Sequence, residues 1–316
     1  MSVSNPSPTP DQLAALATEL DPNGSVELLG RLGGGIDATM ELLRLTDDSG
    51  RQRKVILRRY GEWIAPKGQV HADKEVAILQ LLQTAGLPVS APVWVDTNQI
   101  FPEPALVLEY IDGETLTRPE DEADWARQMA RFLVRLHAIP VDPDASALLE
   151  DNRAEINRKY SSRTAAQNFS NLADADRVWR VGAAAFADAP IGDTAIVHND
   201  LWIANVLWDG QNLKAVIDWE SATLGDPIMD LAYTAMDLRL QGWDLGADEL
   251  VREYAQESGR SLELLPLWTT HVLVQSFPVV EGWSDGLVDI GREDLTPEVI
   301  RRRHTELMAP YLEDLH

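Results

Sequence analysis

The spacing of apolar residues changes character twice along the chain. Leu13, Leu16 and Leu20 recur at helical intervals behind Asp11 and predict a short amphipathic helix, while the Ser- and Pro-rich residues 1–10 predict a loose end. From Val26 to Tyr60 the pattern is strand-like. Val26–Leu29 and Met40–Leu45 flank a glycine cluster, Gly30-Arg-Leu-Gly-Gly-Gly35; Asp47-Asp-Ser-Gly50 reads as a turn; Val55-Ile-Leu57 is a short buried strand ending on Arg58 and Arg59. A helix is expected from about His71 to Thr84, with Glu75, Leu79 and Leu82 on one stripe, Gly86 as its stop and Pro88 beyond. Leu106–Ile111 is a further strand, broken by Asp112-Gly113.

After that break the chain turns helical. Trp125, Met129, Phe132, Leu133 and Leu136 make an amphipathic stripe. Ala195-Ile-Val197 is short and apolar and leads into His198-Asn-Asp200. Asn205–Trp208 and Leu213–Ile217 flank Asp209-Gly210, a hairpin signal, and the stretch from Asp230 to His316 reads mostly as helices. The fold class expected is α+β: a small β-rich domain over residues 1–111 and a larger, mainly helical domain over 112–316.

Composition narrows the function. The 316 residues are 45% hydrophobic and 25% charged, ordinary for a globular protein. No cysteine is present, which excludes disulfides and cysteine–zinc sites. No apolar run is long enough to span a bilayer, and Met1–Pro6 lacks the basic start and apolar stretch of a signal peptide, so a cytoplasmic location is the expectation. The formal charge of −24 argues against nucleic-acid and anionic-membrane partners. It is uneven: residues 1–111 carry 9 basic and 14 acidic side chains, residues 112–316 carry 18 and 37. One reading is solubility. The other is an acidic half that receives a cationic substrate, with Asp237, Asp244, Asp248 and Glu249 as candidates. Oligomeric state is not legible.

The strongest chemical signal lies in residues 195–230. His198-x-Asp200-Leu201-x-x-x-Asn205 precedes the hairpin, and Ile217-Asp218 follows it. Such a hairpin brings Asn205 and Asp218 to the same end of two paired strands. Their hard oxygen ligands suit magnesium, with room left for phosphate oxygens and water. Asp200, on the loop, is placed to meet a substrate hydroxyl. Phosphoryl transfer needs a metal, in-line positioning and an acceptor for the hydroxyl proton more than covalent chemistry from the protein.

This spacing resembles the catalytic loop of kinases. Asp200-Leu-Trp-Ile-Ala-Asn-Val-Leu-Trp208 and Asp218-Trp-Glu-Ser-Ala-Thr-Leu-Gly-Asp-Pro-Ile-Met-Asp-Leu-Ala232 resemble the aminoglycoside phosphotransferase (APH) and choline kinase-like family. The resemblance covers roughly residues 25–235. It implies a protein-kinase-like two-lobed fold and a kinase using Mg2+ with ATP or GTP on a small-molecule hydroxyl acceptor. The rivals are a catalytically inactive nucleotide-binding protein of the same fold and a metal-dependent hydrolase.

The roles it implies are Asp200 as catalytic residue and Asn205 and Asp218 as metal ligands. Gly33, Gly34 and Gly35 would form the phosphate-covering loop, although a glycine triplet by itself equally makes a hairpin turn. Arg58 stands where kinases carry a phosphate-binding lysine, with Glu75 as its inward-facing partner, and Arg59 reads as a surface arginine. Glu109 and Ile111 belong to the strand whose backbone holds the base. His198 supports the loop, His137 packs in the core, and Asp226 and Asp230 brace the catalytic loop. Two departures stand out: Asn199 where the family often has Gly, and Ala204 where this subgroup often has Gly.

Overall fold

The computed structural model describes residues 5–33, 38–61, 68–141, 143–161, 174–187 and 192–313. The chain divides into two compact units, Met1–Asp112 with Ala215–Glu220, and Gly113–Lys214 with Ser221–His316. The sequence-based boundary leaves 215–220 in the second domain. The structure groups it with the first, where Val216 donates its N–H to the Pro88 carbonyl (2.9 Å) and bridges Val89.

In the first unit, helix α1 (Pro10–Leu20) starts on a reciprocal cap. Thr9 Oγ1 accepts from the Gln12 N–H (3.2 Å) and Gln12 Oε1 from the Thr9 N–H (2.9 Å). Five antiparallel strands follow: β1 (Ser25–Leu32), β2 (Ala38–Thr46), β3 (Gln52–Tyr60), β4 (Pro92–Val95) and β5 (Ala105–Glu109), in sheet order β1-β2-β3-β5-β4. β3 extends well beyond the apolar run Val55–Leu57 because β2 pairs with it throughout, from Ala38↔Tyr60 to Thr46↔Gln52. β4 has no counterpart in the sequence reading. It carries Pro92 and lies at the sheet edge, where a missing N–H is tolerated.

Alternation along β3 separates two faces. Val55 and Leu57 join Leu16, Leu43, Phe101, Ala105 and Val107 in a core under α1. Arg58 and Tyr60 are both buried and meet Glu75 of helix α2 (Gly68–Thr84), which is carried inward with Ile78, Leu79 and Leu82. The end expected to be loose is tied down from Asn5 onward. Asn5 is buried, its N–H donating to Thr39 Oγ1 (3.3 Å) and its Nδ2 to the Arg59 and Tyr60 carbonyls (3.2 and 3.3 Å).

The second unit contains β6 (Glu114–Thr115), α3 (Glu122–His137), α4 (Pro143–Leu148), α5 (Asn152–Ser161), α6 (Ala175–Phe186), β7 (Ala195–Val197) and the strand β8 (Val206–Asp209), followed by β9 (Asn212–Val216), whose last residues enter the first unit. Then come β10 (Thr223–Gly225), paired antiparallel with β7, and five helical segments. These are α7 (Pro227–Gln241), α8 (Asp244–Ser258), α9 (Leu265–Ser276), α10 (Trp283–Asp289) and α11 (Pro297–Glu313). Trp125 of α3 stacks on Trp208 of β8 (centroids 5.2 Å) and meets Trp243 edge-on (5.5 Å), fixing α3 to the hairpin and to the start of α8. Helix α7 is buried on nearly every side, as an element at the centre of its unit must be. Asp226 caps it, accepting from the Ile228 N–H (2.9 Å), with Pro227 at the first helical position.

Candidate active site

In the first unit, the site residues gather around Arg58. Arg58 is 3% exposed. Nη1 donates to Glu75 Oε1 (3.1 Å) and Asp218 Oδ1 (2.9 Å), and Nη2 donates to Glu220 Oε2. Burial works against the Arg58 charge, but Glu75, Asp218 and Glu220 outweigh it and hold the guanidinium well above its usual pKa. Glu75, also fully enclosed, is raised by burial; Arg58 and the Tyr60 hydroxyl, which donates to Oε2, pull the other way. Glu220 joins this cluster and was not among the candidates named from the sequence. Its signal was a second carboxylate two residues past Asp218. Asp218 has φ +65°, a left-handed conformation uncommon for a residue with a Cβ, and its side chain is 36% exposed.

The remaining first-unit candidates stand apart from this cluster. Gly33 follows β1 and is exposed; Gly34 and Gly35 lie outside the described residues. β5 ends at Glu109, so Ile111 falls beyond the strand. The Glu109 N–H donates to the Ala91 carbonyl (2.8 Å) and its carbonyl accepts from Ser90 Oγ (2.6 Å). A cleft of about 260 Å³ is lined by Arg53, Lys54, Glu109, Tyr110 and Asp112, with Lys54 Nζ 4.9 Å from the Tyr110 ring centroid. Arg59 is no surface residue: it is 1% exposed and binds Glu41, Glu103 and the Pro6 carbonyl, because it points to the same face as Leu57.

In the second unit, α7 supports the loop after β7 with one polar stripe, Asp230, Tyr233, Thr234 and Asp237, at intervals that share a helix face. Asp230 accepts from the N–H groups of His198 (2.7 Å) and Asn199 (2.9 Å), and lies 3.3 Å from His137 Nε2. The Tyr233 hydroxyl donates to Asp200 Oδ1 (2.6 Å). Thr234 Oγ1 donates to the Leu201 carbonyl (2.9 Å), and Asp237 Oδ2 accepts from the Ile203 N–H (3.2 Å). Asn205 Nδ2 donates to the Asp200 carbonyl (2.8 Å). Burial raises Asp237 to about 7, against its bonds from Gln241 and Ile203; burial and then Asp200 raise Tyr233 well above the usual phenol range.

Asp230 therefore braces the loop through backbone hydrogen bonds, whereas Asp226, expected to do the same, caps α7 instead. Asn199 has φ +68°. That conformation favours glycine and tolerates Asn, which accounts for the residue found there. Its Nδ2 bonds to the Ser221 carbonyl (2.8 Å) and Thr223 Oγ1, fixing the loop to the β10 segment. Tyr233 and Thr234 were missed in the sequence, although polar residues spaced three, four and seven apart in an apolar helix are a readable signal.

The phosphotransferase enzyme family, APH, has a sequence profile that matches residues 30–265. The chain belongs to the APH family. It is thus a phosphotransferase with an alcohol group as acceptor, and its kinase-like α+β fold is that of the family. Viomycin phosphotransferase of Streptomyces vinaceus is 31% identical over 192 residues, which span 51% of this chain and 67% of that protein. A putative aminoglycoside phosphotransferase from Ralstonia eutropha JMP134 superposes with TM-score 0.66 at 15% identity, covering 97% of this chain and 98% of the other. A thermostable mutant of aminoglycoside phosphotransferase APH(4)-Ia, in ternary complex with ADP and hygromycin B, gives TM-score 0.62 at 16% identity, with 94% and 98% covered. These two structures share the APH fold with this chain.

Within this APH chain, the acids proposed from sequence to greet a cation divide: Asp244 and Asp248 are exposed, whereas Asp237 and Glu249 are largely enclosed. Asp237 is buried beneath the loop. Asp248 binds Arg239 (2.7 Å), and Asp244 lies 3.6 Å from the same arginine. Glu249 binds Arg127 (2.9 Å) and Arg252 (2.6 Å), which lower its pKa to about 2. Among the described residues no helix is long and apolar enough to cross a membrane.

Proposed function

We propose that this chain is a small-molecule kinase that moves the γ-phosphoryl group of ATP or GTP onto a hydroxyl of a small acceptor, with Mg2+ as cofactor. The observation that carries the reading is the geometry of Asp200. Its carboxylate is held on one side by Tyr233, and Asn205 turns its amide nitrogen onto the Asp200 carbonyl. With the nitrogen so engaged, the Asn205 amide oxygen is the atom that would serve a metal, a hard ligand of the kind magnesium takes. Asp218 gives one oxygen to Arg58 and keeps a carboxylate that is partly exposed. Among the described residues no three His, Cys, Asp or Glu side chains are set to hold a metal. A magnesium ion bound by one carboxylate, one amide and phosphate oxygens needs no such cluster.

On this reading Asn205 and Asp218 hold the ion, which when bound neutralises charge on the phosphate oxygens. Asp200 orients the acceptor hydroxyl and takes its proton as the oxygen attacks phosphorus and the bond to the leaving diphosphate breaks. Arg58, set by Glu75, binds phosphate, and the glycines 33–35 cover it. Residues 1–111 are then the nucleotide-binding lobe, with the backbone at Glu109 and Ile111 against the base, and residues 112–316 the catalytic and acceptor lobe. The likeness to viomycin phosphotransferase makes an antibiotic-like or amino-alcohol hydroxyl the first class to try.

The test is nucleotide consumption with Mg-ATP or Mg-GTP against viomycin, hygromycin B, a macrolide and simple amino alcohols, with products identified by mass spectrometry. A phosphorylated acceptor, lost on chelation of the metal, is expected. Release of free phosphate alone, or no consumption with any of these compounds, would count against small hydroxyl acceptors of these classes.

A further inference from the structure

The surroundings of Asp200 within the second unit are aromatic. Tyr233 binds the Asp200 carboxylate, and its ring lies 6.4 Å from that of Trp283, the first residue of α10, at 58°. Trp202, two residues past Asp200, donates its N–H to the Asp200 carbonyl (3.2 Å). The edge of the Trp202 ring lies over Gly286, in ordinary contact with the position a Cβ there would take (3.4 Å). Trp283 and Gly286 are three residues apart and share a stripe of α10. That stripe thus meets Tyr233, which binds the Asp200 carboxylate, and Trp202, two residues on from Asp200 in the chain. Ser284 and Leu287 anchor α10 by burial, whereas Trp202, Tyr233 and Trp283 are all only half-buried.

We infer that Trp202, Tyr233 and Trp283 form the wall against which the acceptor lies, and that the acceptor brings apolar carbon surface beside its reacting hydroxyl. The inference rests on the kinase reading above and deepens it. Partly exposed rings gain free energy when carbon displaces water from them, at about 25 cal/mol per Å² of apolar surface. A strongly hydrated ammonium group recovers its hydration best from an accessible carboxylate, and among the acids named from the sequence Asp237 is buried and Glu249 is bound to Arg127 and Arg252. Sites for small molecules combine such apolar walls with a few placed polar groups, the part Asp200 plays here. Trp283 is the specificity-determining residue on this account; it touches the acceptor and takes no part in moving the proton.

The experiment is a homologous series of 1,2-alkanediols of increasing length, with hygromycin B as the polycationic comparison, assayed for transfer by the full chain. In the wild type, kcat/KM is expected to rise along the series by about fourfold per buried methylene. Trp283→Ala is expected to flatten that slope and raise acceptor KM at least about tenfold, with nucleotide KM held within about twofold. Trp283→Phe, which keeps a ring, should restore most of the slope, and melting curves on both variants separate lost contact from lost fold. A flat series in the wild type, or an undiminished slope in folded Trp283→Ala, overturns the wall. Transfer to hygromycin B but to no diol overturns it also and leaves the kinase reading intact. Transfer to neither the diols nor hygromycin B overturns the wall, while the kinase reading stands or falls on the wider acceptor panel above.

Discussion

Asp218 holds a left-handed backbone at φ +65°, at a cost on the order of 1–3 kcal/mol for a residue with a Cβ. Such strain persists where surrounding bonds over-determine it, and the bond to buried Arg58 does so here. Asp218→Ala is expected to lower phosphoryl transfer at least about 10²-fold while circular dichroism stays that of the wild type. Near-normal turnover in the folded variant would remove Asp218 from the metal site. Glu75 sits behind Arg58, so Glu75→Ala is expected to weaken nucleotide binding, seen by calorimetry, although its role is to set the arginine. Breaking a fully buried pair costs up to about 3–5 kcal/mol, reduced here because Asp218 and Glu220 also hold Arg58. Undiminished nucleotide affinity in Glu75→Ala would show that the arginine is positioned without it. Tyr233→Phe removes a single hydroxyl that donates to Asp200. Turnover is expected to fall about tenfold with nucleotide KM unchanged; a rise in nucleotide KM with turnover intact would place Tyr233 elsewhere in the reaction.

At the scale of elements, α9 and α11 each bury a histidine. His271 of α9 lies among Tyr160, Phe186 and Trp268, and its Nδ1 is 3.1 Å from the Tyr160 hydroxyl. His304 of α11 is held between Ser276 and the Leu273 carbonyl. Burial pushes their pKa values down to about 3 and about 4. The unfolded chain, with histidines near 6.5, therefore takes up protons that the folded helices refuse. Stability is fully present above about pH 6.5 and is lost as pH falls through the range toward 4. The melting temperature should drop across that window, with a shallower slope in His271→Gln, and a slope unchanged by that substitution would show that α9 tolerates the charge. The strand β3 carries the complementary lesson. Its alternation was readable, yet only its pairing along all of β2 showed that Arg59 turns inward to Glu41.

Over the whole molecule, the net charge of −24 is expected to strain the folded state at low ionic strength. Raising salt from about 0.01 to 0.15 M shortens the screening length from about 30 to 8 Å and should raise the melting temperature in calorimetry. A flat response would mean that the arginine pairs on α3, α7 and α8 already compensate the acids. What the sequence determined by itself is the family and the architecture. His198, Asp200, Asn205 and Asp218 lie within a short span at fixed intervals, and hydrophobic period reports helix and strand from neighbours along the chain. The tertiary structure decided the rest: that Glu220 joins Arg58, that Tyr233 binds Asp200, that Asp226 caps a helix, that Asp237 is buried and that Glu249 is held by two arginines. The reason is physical. A carboxylate's availability depends on burial and on its partner, and those partners come from distant parts of the chain that only folding brings together.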